Sequence, residues 1–94
     1  MKPENVNPSN FKVDNILFDN GSFSIAYGKW LGKETRIAMR WNGDDNESGY
    51  PKHFGNPVWF LIDHNLNTSV LKSLLEVKSA NNLLILKALE SELK

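Results

Sequence analysis

Two neighbouring segments alternate apolar with small or polar side chains, and this pattern constrains the fold more than any other feature of the chain. In "SFSIAYGKW" (residues 22–30) Phe, Ile and Tyr at positions 23, 25 and 27 alternate with Ser, Ala and Gly, and "TRIAMRWN" (residues 35–42) repeats the alternation. A period of two is typical of a β-strand that buries one face. Gly32 lies in the short turn between the segments, so we predict an antiparallel hairpin in which residues of the same face lie opposite each other.

Two further strands are predicted, one before and one after this hairpin in the chain. The apolar residues 16–18 are followed by "DNG", and Asn-Gly is a strong signal for a hairpin turn. After a long loop over residues 43–56, "PVWFLID" is almost entirely apolar. Pro57 suits the first position of a strand, where a missing N–H does least harm. The sequence thus predicts an antiparallel β-meander of about four strands.

The spacing of apolar residues changes after Asp63. The apolar residues that follow include Val70, Leu71, Leu74 and Val77. Spacings of three and four predict an amphipathic helix. We predict one C-terminal helix over about residues 68–92 that backs the sheet, and hence a single α+β domain over residues 15–94. Residues 1–14, which contain two prolines and three asparagines, are predicted to form a flexible arm.

The predicted helix is longer than the sheet that it would cover. A helix over residues 68–92 would be about 37 Å long, whereas a strand of about eight residues spans about 27 Å. The helix must therefore overhang the sheet, bend at Asn81-Asn82, or dock on a second subunit. Leucines on an overhang would be exposed in a monomer, which favours the third arrangement. We predict a homodimer with the interface residues Leu84, Leu86, Leu89 and Leu93.

Composition and charge exclude several classes of protein. The 94 residues suffice for one domain. With 11 basic and 11 acidic side chains the net charge is zero, which argues against a surface that is basic throughout and made for nucleic acid. The absence of cysteine excludes disulfides and thiolate metal sites. No stretch approaches the roughly 18 apolar residues of a membrane-spanning helix, and the first residues lack the apolar core of a signal peptide, so we expect a cytoplasmic protein.

The alternation divides the sheet into a core face and an unusual second face. The predicted core face carries Phe23, Ile25, Tyr27, Ile37, Met39, Trp41, Val58, Phe60 and Ile62. The second face carries Ser24, Ala26, Gly28, Trp30, Arg36, Ala38, Arg40, Asn42 and, after the loop, Trp59. Arginine binds phosphate or carboxylate and tryptophan stacks on bases, so this face is a candidate platform for a planar, anionic or extended ligand. Alternatively, it packs on the sheet of another subunit, or its arginines pair with acidic neighbours.

The long loop before the last strand has an acidic part and a basic, aromatic part. Its acidic residues at 44, 45 and 47 lack the spacing of an EF-hand loop, so we predict a solvated turn and no metal site. Tyr50 and Phe54 are expected to join Trp41 in the folded core or at its rim. Lys52 and His53 either contact a phosphate or are simply exposed on a structural loop.

Little in the sequence supports catalysis. Neither a nucleophile elbow nor a Gly-rich phosphate loop is present, so we expect a non-enzymatic protein without a cofactor. The leading hypothesis is a module that binds single-stranded nucleic acid on the Arg36/Arg40 face. The residues that would bind nucleic acid or another ligand are Lys29, Trp30, Lys33, Arg36, Arg40 and Lys52. The alternatives are a protein-interaction or structural homo-oligomeric module, and a small-molecule binder or enzyme that uses the 43–56 loop.

Two stretches, "GKWLGKETRIAMRW" and "NPVWFLIDHNLNTSVLKSLLEV", resemble those of a known family. Over about residues 22–78 the pattern is similar to the positive-cofactor-four transcriptional coactivators and their small bacterial relatives. That family binds single-stranded DNA as dimers on a curved sheet, and the resemblance implies that Lys33 and Arg40 face nucleic acid with Lys29 and Trp30 beside them. The chain departs from the family in its zero net charge, its loop and its longer helix. It also resembles small bacterial proteins carried on mobile gene cassettes.

Overall fold

The computed structural model describes all residues of the chain, 1–94. Six strands occur in chain order: β1 Phe11–Asp19, β2 Phe23–Trp30, β3 Glu34–Trp41, β4 Lys52–His53, β5 Asn56–Pro57 and β6 Phe60–Leu61. The two α-helices are α1 Asn67–Leu74 and α2 Asn82–Glu92, and short 3₁₀ turns span Pro3–Asn5 and His64–Leu66. Strands β1, β2, β3 and β6 form one antiparallel sheet in that order, and β4 and β5 pair separately. The predicted α+β class is confirmed.

The central hairpin has the register that the alternation predicts. Ser24 lies opposite Arg40, and Met39 lies opposite Ile25, so alternate residues of β2 and β3 share a face. The outer strands differ more from the prediction. Strand β1 is longer than expected and contains two register shifts against β2, which break its alternation. Strand β6 contains only Phe60 and Leu61, and Pro57, which was expected to open this strand, belongs to the separate β4–β5 pair.

The folded domain begins well before residue 15, so the prediction of a flexible arm over residues 1–14 is wrong. Phe11 opens β1, and the side chains of Val6 and Phe11 are buried. The Trp59 indole N–H donates a hydrogen bond to the Val6 carbonyl at 2.9 Å. These apolar side chains pack against the small residues on the second face of the sheet, and that burial stabilises the segment.

The chain forms two short helices where we predicted one long helix over residues 68–92. Helix α1 ends at Leu74, with Leu75 as its C-cap, and the Asn81 side chain then caps α2 by accepting a hydrogen bond from the Leu84 N–H. The Asn67 side chain at the start of α1 also donates to Glu92 at the end of α2, so the helices run antiparallel. This fold-back removes the long overhang from which the homodimer was inferred.

The sheet is covered on both of its faces. On one face, α1 and α2 pack on a core cluster of Leu17, Ile25, Tyr27, Ile37, Leu71, Leu74, Ile85 and Ala88. On the other face, the N-terminal segment and the chain after β5 close over a second cluster of Val6, Phe11, Ala26, Ala38 and Trp59. The face that was expected to be an open platform is therefore largely an internal layer of the same chain.

Candidate interaction surface

Arg40, the central residue of the predicted platform, is buried with only 1% of its surface exposed. Its guanidinium donates hydrogen bonds to the backbone carbonyls of Val58 and Ser48, and burial lowers the pKa of Arg40. Nearby, the buried Ser24 hydroxyl donates to the Asn42 side chain at 2.7 Å. Arg40 therefore anchors the long loop from inside the protein, and its prediction as a ligand-binding residue is wrong.

Two of the other predicted cations are paired with carboxylates of the same chain. The Lys29 ammonium lies 3.3 Å from Asp14, and the Arg36 guanidinium lies 3.0 Å from Glu34. Arg36 also stacks over the Trp30 ring at 4.6 Å from its centroid. The alternative in which the arginines pair with acidic neighbours therefore describes Arg36.

The two remaining predicted cations lie apart from these pairs. Lys33 is exposed in the turn between β2 and β3, and Lys52 is exposed on β4. The six predicted ligand-binding residues therefore lie in different places. Arg40 is in the interior, Lys29 and Arg36 are in separate ion pairs, Trp30 is under Arg36, Lys33 is in a turn and Lys52 is on a separate hairpin. The structure does not bring them together on one open face.

A polar network that the sequence did not predict joins the end of α2 to the sheet. The Glu92 carboxylate accepts hydrogen bonds from Thr35 at 2.6 Å, from the Tyr27 hydroxyl and from Asn67 at 3.3 Å. Burial alone would raise the pKa of Glu92, but these hydrogen bonds outweigh it and lower the pKa. Burial and the bond to Glu92 raise the pKa of Tyr27. Because three donors already engage this carboxylate, the network suits a structural clamp.

Six side chains form a partly exposed apolar surface, which we call the aromatic surface. It consists of Phe23, Met39, Trp41, Tyr50, Pro51 and Phe60, which line a shallow cavity of about 200 Å³ together with part of Arg40. Three of these side chains are more than half exposed: Trp41 at 56%, Tyr50 at 68% and Phe60 at 61%. An exposed cluster of large apolar side chains is typical of a site of interaction.

The strand register explains why these side chains lie together. Met39 is opposite Phe60, Phe23 is opposite Trp41, and Tyr50 forms a β-bridge with Trp41. Residues that lie opposite each other in antiparallel strands share a face, so this group continues the face that carries Ile25 and Ile37. The two short helices pack on those isoleucines but leave the end of the face with the aromatic rings uncovered.

Trp41, Tyr50 and Phe54 were expected in the folded core or at its rim, and the structure places none of the three in the core. Trp41 contacts Phe23 edge to face, with ring centroids 4.7 Å apart, but its remaining surface is open. Phe54 is almost fully exposed at the tip of the β4–β5 hairpin. Trp41 and Tyr50 therefore lie at the rim of the core, where they line the aromatic surface, whereas Phe54 lies outside it.

The predicted leucine interface on α2 is divided between the inside and the outside of the chain. Leu84 and Leu89 pack against the core cluster under the helices and are partly buried there. Leu86 and Leu93 are exposed, as is Leu83. The charged Glu90 lies among these leucines on the same side of the helix, which makes this strip less uniformly apolar than the aromatic surface.

The other clefts are less apolar than the aromatic surface: four of the eight residues that line a cleft of about 440 Å³ beside Phe11 and Trp59 are hydrophobic. The cleft at Asp19, Asn42 and Gly43 has a volume of about 540 Å³, and a single hydrophobic residue lines it. Small-molecule sites are lined mainly by hydrophobic and aromatic side chains, which this cleft lacks. No three His, Asp or Glu side chains are grouped so as to hold a metal ion. Neither helix has the length and apolar character that crossing a membrane requires.

Comparisons with known proteins found no relative of this chain. No family model matches the chain, no curated protein matches it, and no solved structure matches it.

Proposed function

We propose that this protein is a non-enzymatic protein-interaction module and that it docks through the aromatic surface. The observation that carries this proposal is the cavity of about 200 Å³ lined by five large apolar side chains and a proline, three of whose side chains are more than half exposed. Aromatic residues and methionine are enriched at protein interfaces. Tryptophan and tyrosine in particular account for much of the binding energy where they line a pocket.

The size of the cavity favours a protein partner over a small molecule. Small-molecule sites have volumes of about 300–1,000 Å³ and enclose most of the ligand, whereas this cavity is smaller and shallow. It is large enough for a single apolar side chain of a partner, since an apolar cavity of about 150 Å³ accommodates benzene. Anchor side chains seated in pockets of this kind are typical of hot spots at protein interfaces.

The distribution of charge favours a protein partner over single-stranded nucleic acid. Aromatic platforms for nucleic acid are combined with a positively charged groove that follows the phosphates. Beside the aromatic surface the nearest arginine, Arg40, is buried and bonded to backbone carbonyls. Arg36 and Lys29 are paired with carboxylates elsewhere on the sheet. An apolar interface with a protein does not require such a groove.

Hydroxyl-radical labelling tests the proposal without knowledge of the partner. The protein is labelled at its native concentration in the cells that produce it and, separately, as a dilute purified sample. We expect Trp41, Tyr50 and Phe60 to be labelled less in cells than in dilute solution, because a docked partner covers them. Leu31, which is exposed on a distant turn, is the internal control and should be labelled equally in both samples.

Two results would contradict the proposed function. Equal labelling of the three aromatic residues in cells and in dilute solution would show that nothing docks on the aromatic surface. Salt-sensitive binding of purified protein to a thymine-rich oligonucleotide, with loss of binding in Arg36→Ala, would favour the nucleic-acid alternative, because such binding depends on neutralised phosphates.

A further inference from the structure

Phe54 is the most exposed large apolar residue of the protein, with 91% of its surface accessible. It occupies the tip of the hairpin formed by β4 and β5, where His53 pairs with Asn56 across the turn. Its only aromatic neighbour is His53, whose ring centroid lies 4.5 Å away. The side chain therefore projects into solvent from a tight turn, and its burial contributes almost nothing to the fold.

The backbone at this tip has a conformation that disfavours phenylalanine. The two central residues of the turn, Phe54 and Gly55, both have positive φ angles, 51° and 79°. A two-residue turn of this kind strongly prefers Asn-Gly, because asparagine and glycine tolerate the left-handed region. A bulky residue there is an outlier. Phenylalanine at this position costs conformational free energy without burying its ring, which points to a contact outside the chain.

The same chain also contains an unfilled site of suitable size. The cavity of the aromatic surface has a volume of about 200 Å³, and an apolar cavity of about 150 Å³ accommodates benzene. A phenyl ring therefore fits into it. Its walls include Trp41, Tyr50 and Phe60, which offer ring faces and edges for the tilted contacts that aromatic pairs prefer.

We propose that the partner of the aromatic surface is a second copy of this chain and that its Phe54 fills the cavity. This inference rests on the proposed function, because it names the occupant of the same surface. Pro51 lines the cavity and precedes Phe54 by three residues, a span of about 10 Å at about 3.4 Å per residue. The hairpin that carries Phe54 therefore starts at the rim of the cavity, because the Val58 N–H closes its base on the Pro51 carbonyl at 3.1 Å, and a two-fold contact lets each copy insert Phe54 into the other.

Sedimentation of purified variants tests this inference. We expect a concentration-dependent dimer for the wild type. In Phe54→Asn, loss of an anchor residue weakens each contact by about 30-fold, and because a dimer has two such contacts its dissociation constant should rise about 1,000-fold. At a dilution where both proteins are monomeric, Phe54→Asn should unfold at a higher temperature than the wild type, since asparagine suits the turn.

Leu31→Asn is the matched control. Leu31 is also an exposed apolar residue with a positive φ angle, 54°, but it lies in the turn between β2 and β3, at 55% exposure. The substitution is expected to leave the dimer unchanged. Equal weakening of the dimer by Leu31→Asn and Phe54→Asn would overturn the assignment of Phe54.

Mixing two defective variants tests the reciprocal contact directly. Phe54→Asn lacks the projecting Phe54 ring but keeps the cavity, whereas Phe60→Gln keeps the Phe54 ring but has an altered cavity. Each variant alone should be monomeric, and the mixture should form a heterodimer through its one intact contact. A mixture that remains monomeric would overturn the reciprocal arrangement.

The outcomes separate this inference from the proposed function. If Phe60→Gln abolishes the dimer and Phe54→Asn does not, the aromatic surface docks but Phe54 is not its occupant, so only the inference fails. If the wild type is monomeric even at millimolar concentration, the second copy is not the partner and the inference fails again. The proposed function itself fails on different results: the aromatic residues are not protected in cells, or the purified protein binds the oligonucleotide in a salt-sensitive way that Arg36→Ala removes.

Discussion

Trp59 and Trp41 provide a matched pair of substitutions that tests how the second face of the sheet is closed. Trp59 is only 6% exposed, packs in the cluster with Val6 and Phe11, and donates its indole N–H to the Val6 carbonyl at 2.9 Å. Trp59→Phe keeps an aromatic ring in this position but removes the donor and part of the side-chain volume. The substitution therefore probes the contact that holds the N-terminal segment on the sheet.

The expected loss of stability follows from these two changes. A buried carbonyl left without its donor costs about 1–3 kcal/mol, and the smaller ring leaves a cavity that costs about 1 kcal/mol. Together they predict a loss of about 2–4 kcal/mol in the free energy of unfolding. A domain of 94 residues has a stability of about 5–14 kcal/mol at about 0.05–0.15 kcal/mol per residue, so the variant should still fold.

Urea unfolding followed by far-UV circular dichroism measures this loss without relying on tryptophan fluorescence. In the control Trp41→Phe, the ring is 56% exposed, so we expect a loss below about 1 kcal/mol. Hydrogen exchange should also show that residues 3–11 are less protected in Trp59→Phe. A loss in Trp41→Phe equal to or larger than that in Trp59→Phe would refute the assignment of Trp59 to the core and Trp41 to the surface.

Two further substitutions test the polar network and the long loop. Burial tends to raise the pKa of Glu92, but its hydrogen bonds lower the pKa by more. The ionised Glu92 therefore stabilises the fold above the ordinary carboxyl pKa of about 4.3, and this stabilisation disappears as the pH falls through the lower pKa of the folded state. Glu92→Gln should therefore be less stable than the wild type at neutral pH and should lose less stability on acidification; equal losses in urea midpoint would contradict this role. Gly49 has a φ angle of 69°, and an added Cβ would lie 2.1 Å from the Trp41 carbonyl oxygen. Gly49→Ala should thus cost about 2–5 kcal/mol in thermal or urea unfolding, from strain in the left-handed region and overpacking, and a loss below about 1 kcal/mol would show that the loop adjusts freely.

The local pattern of the sequence was sufficient to predict the centre of the fold. The alternation in residues 22–30 and 35–42 predicted the β2–β3 hairpin and the placement of same-face residues opposite each other, which the pair Ile25 and Met39 illustrates, because the two faces of a strand follow directly from a period of two. The same reasoning failed for β1, since its two register shifts interrupt that period. It also failed to predict the break between α1 and α2, although Asn81 is a favourable N-cap.

The candidate site could be predicted only as a set of notable residues. Tyr50 and Phe54 were identified from their place in one long loop, Trp41 from its place at the end of the strand before it, and Arg40 from its place beside small side chains. Whether Trp41 is exposed depends on how far the helices extend over the sheet. Two short antiparallel helices cover Ile25 and Ile37 but not the end of the face that carries Trp41, and no local pattern encodes that limit.

The alternation of residues 22–42 determined that the sheet has one apolar face and one face of small residues and arginines. Only the tertiary structure decided what covers the second face. Val6 and Trp59 are separated by 53 positions in the sequence, yet their hydrogen bond closes that face and leaves Arg40 inside the protein. The period of two predicts which residues lie on each face of a strand, because successive side chains of a strand point to opposite faces. Which distant segment packs on each side depends on the burial that the whole chain can achieve.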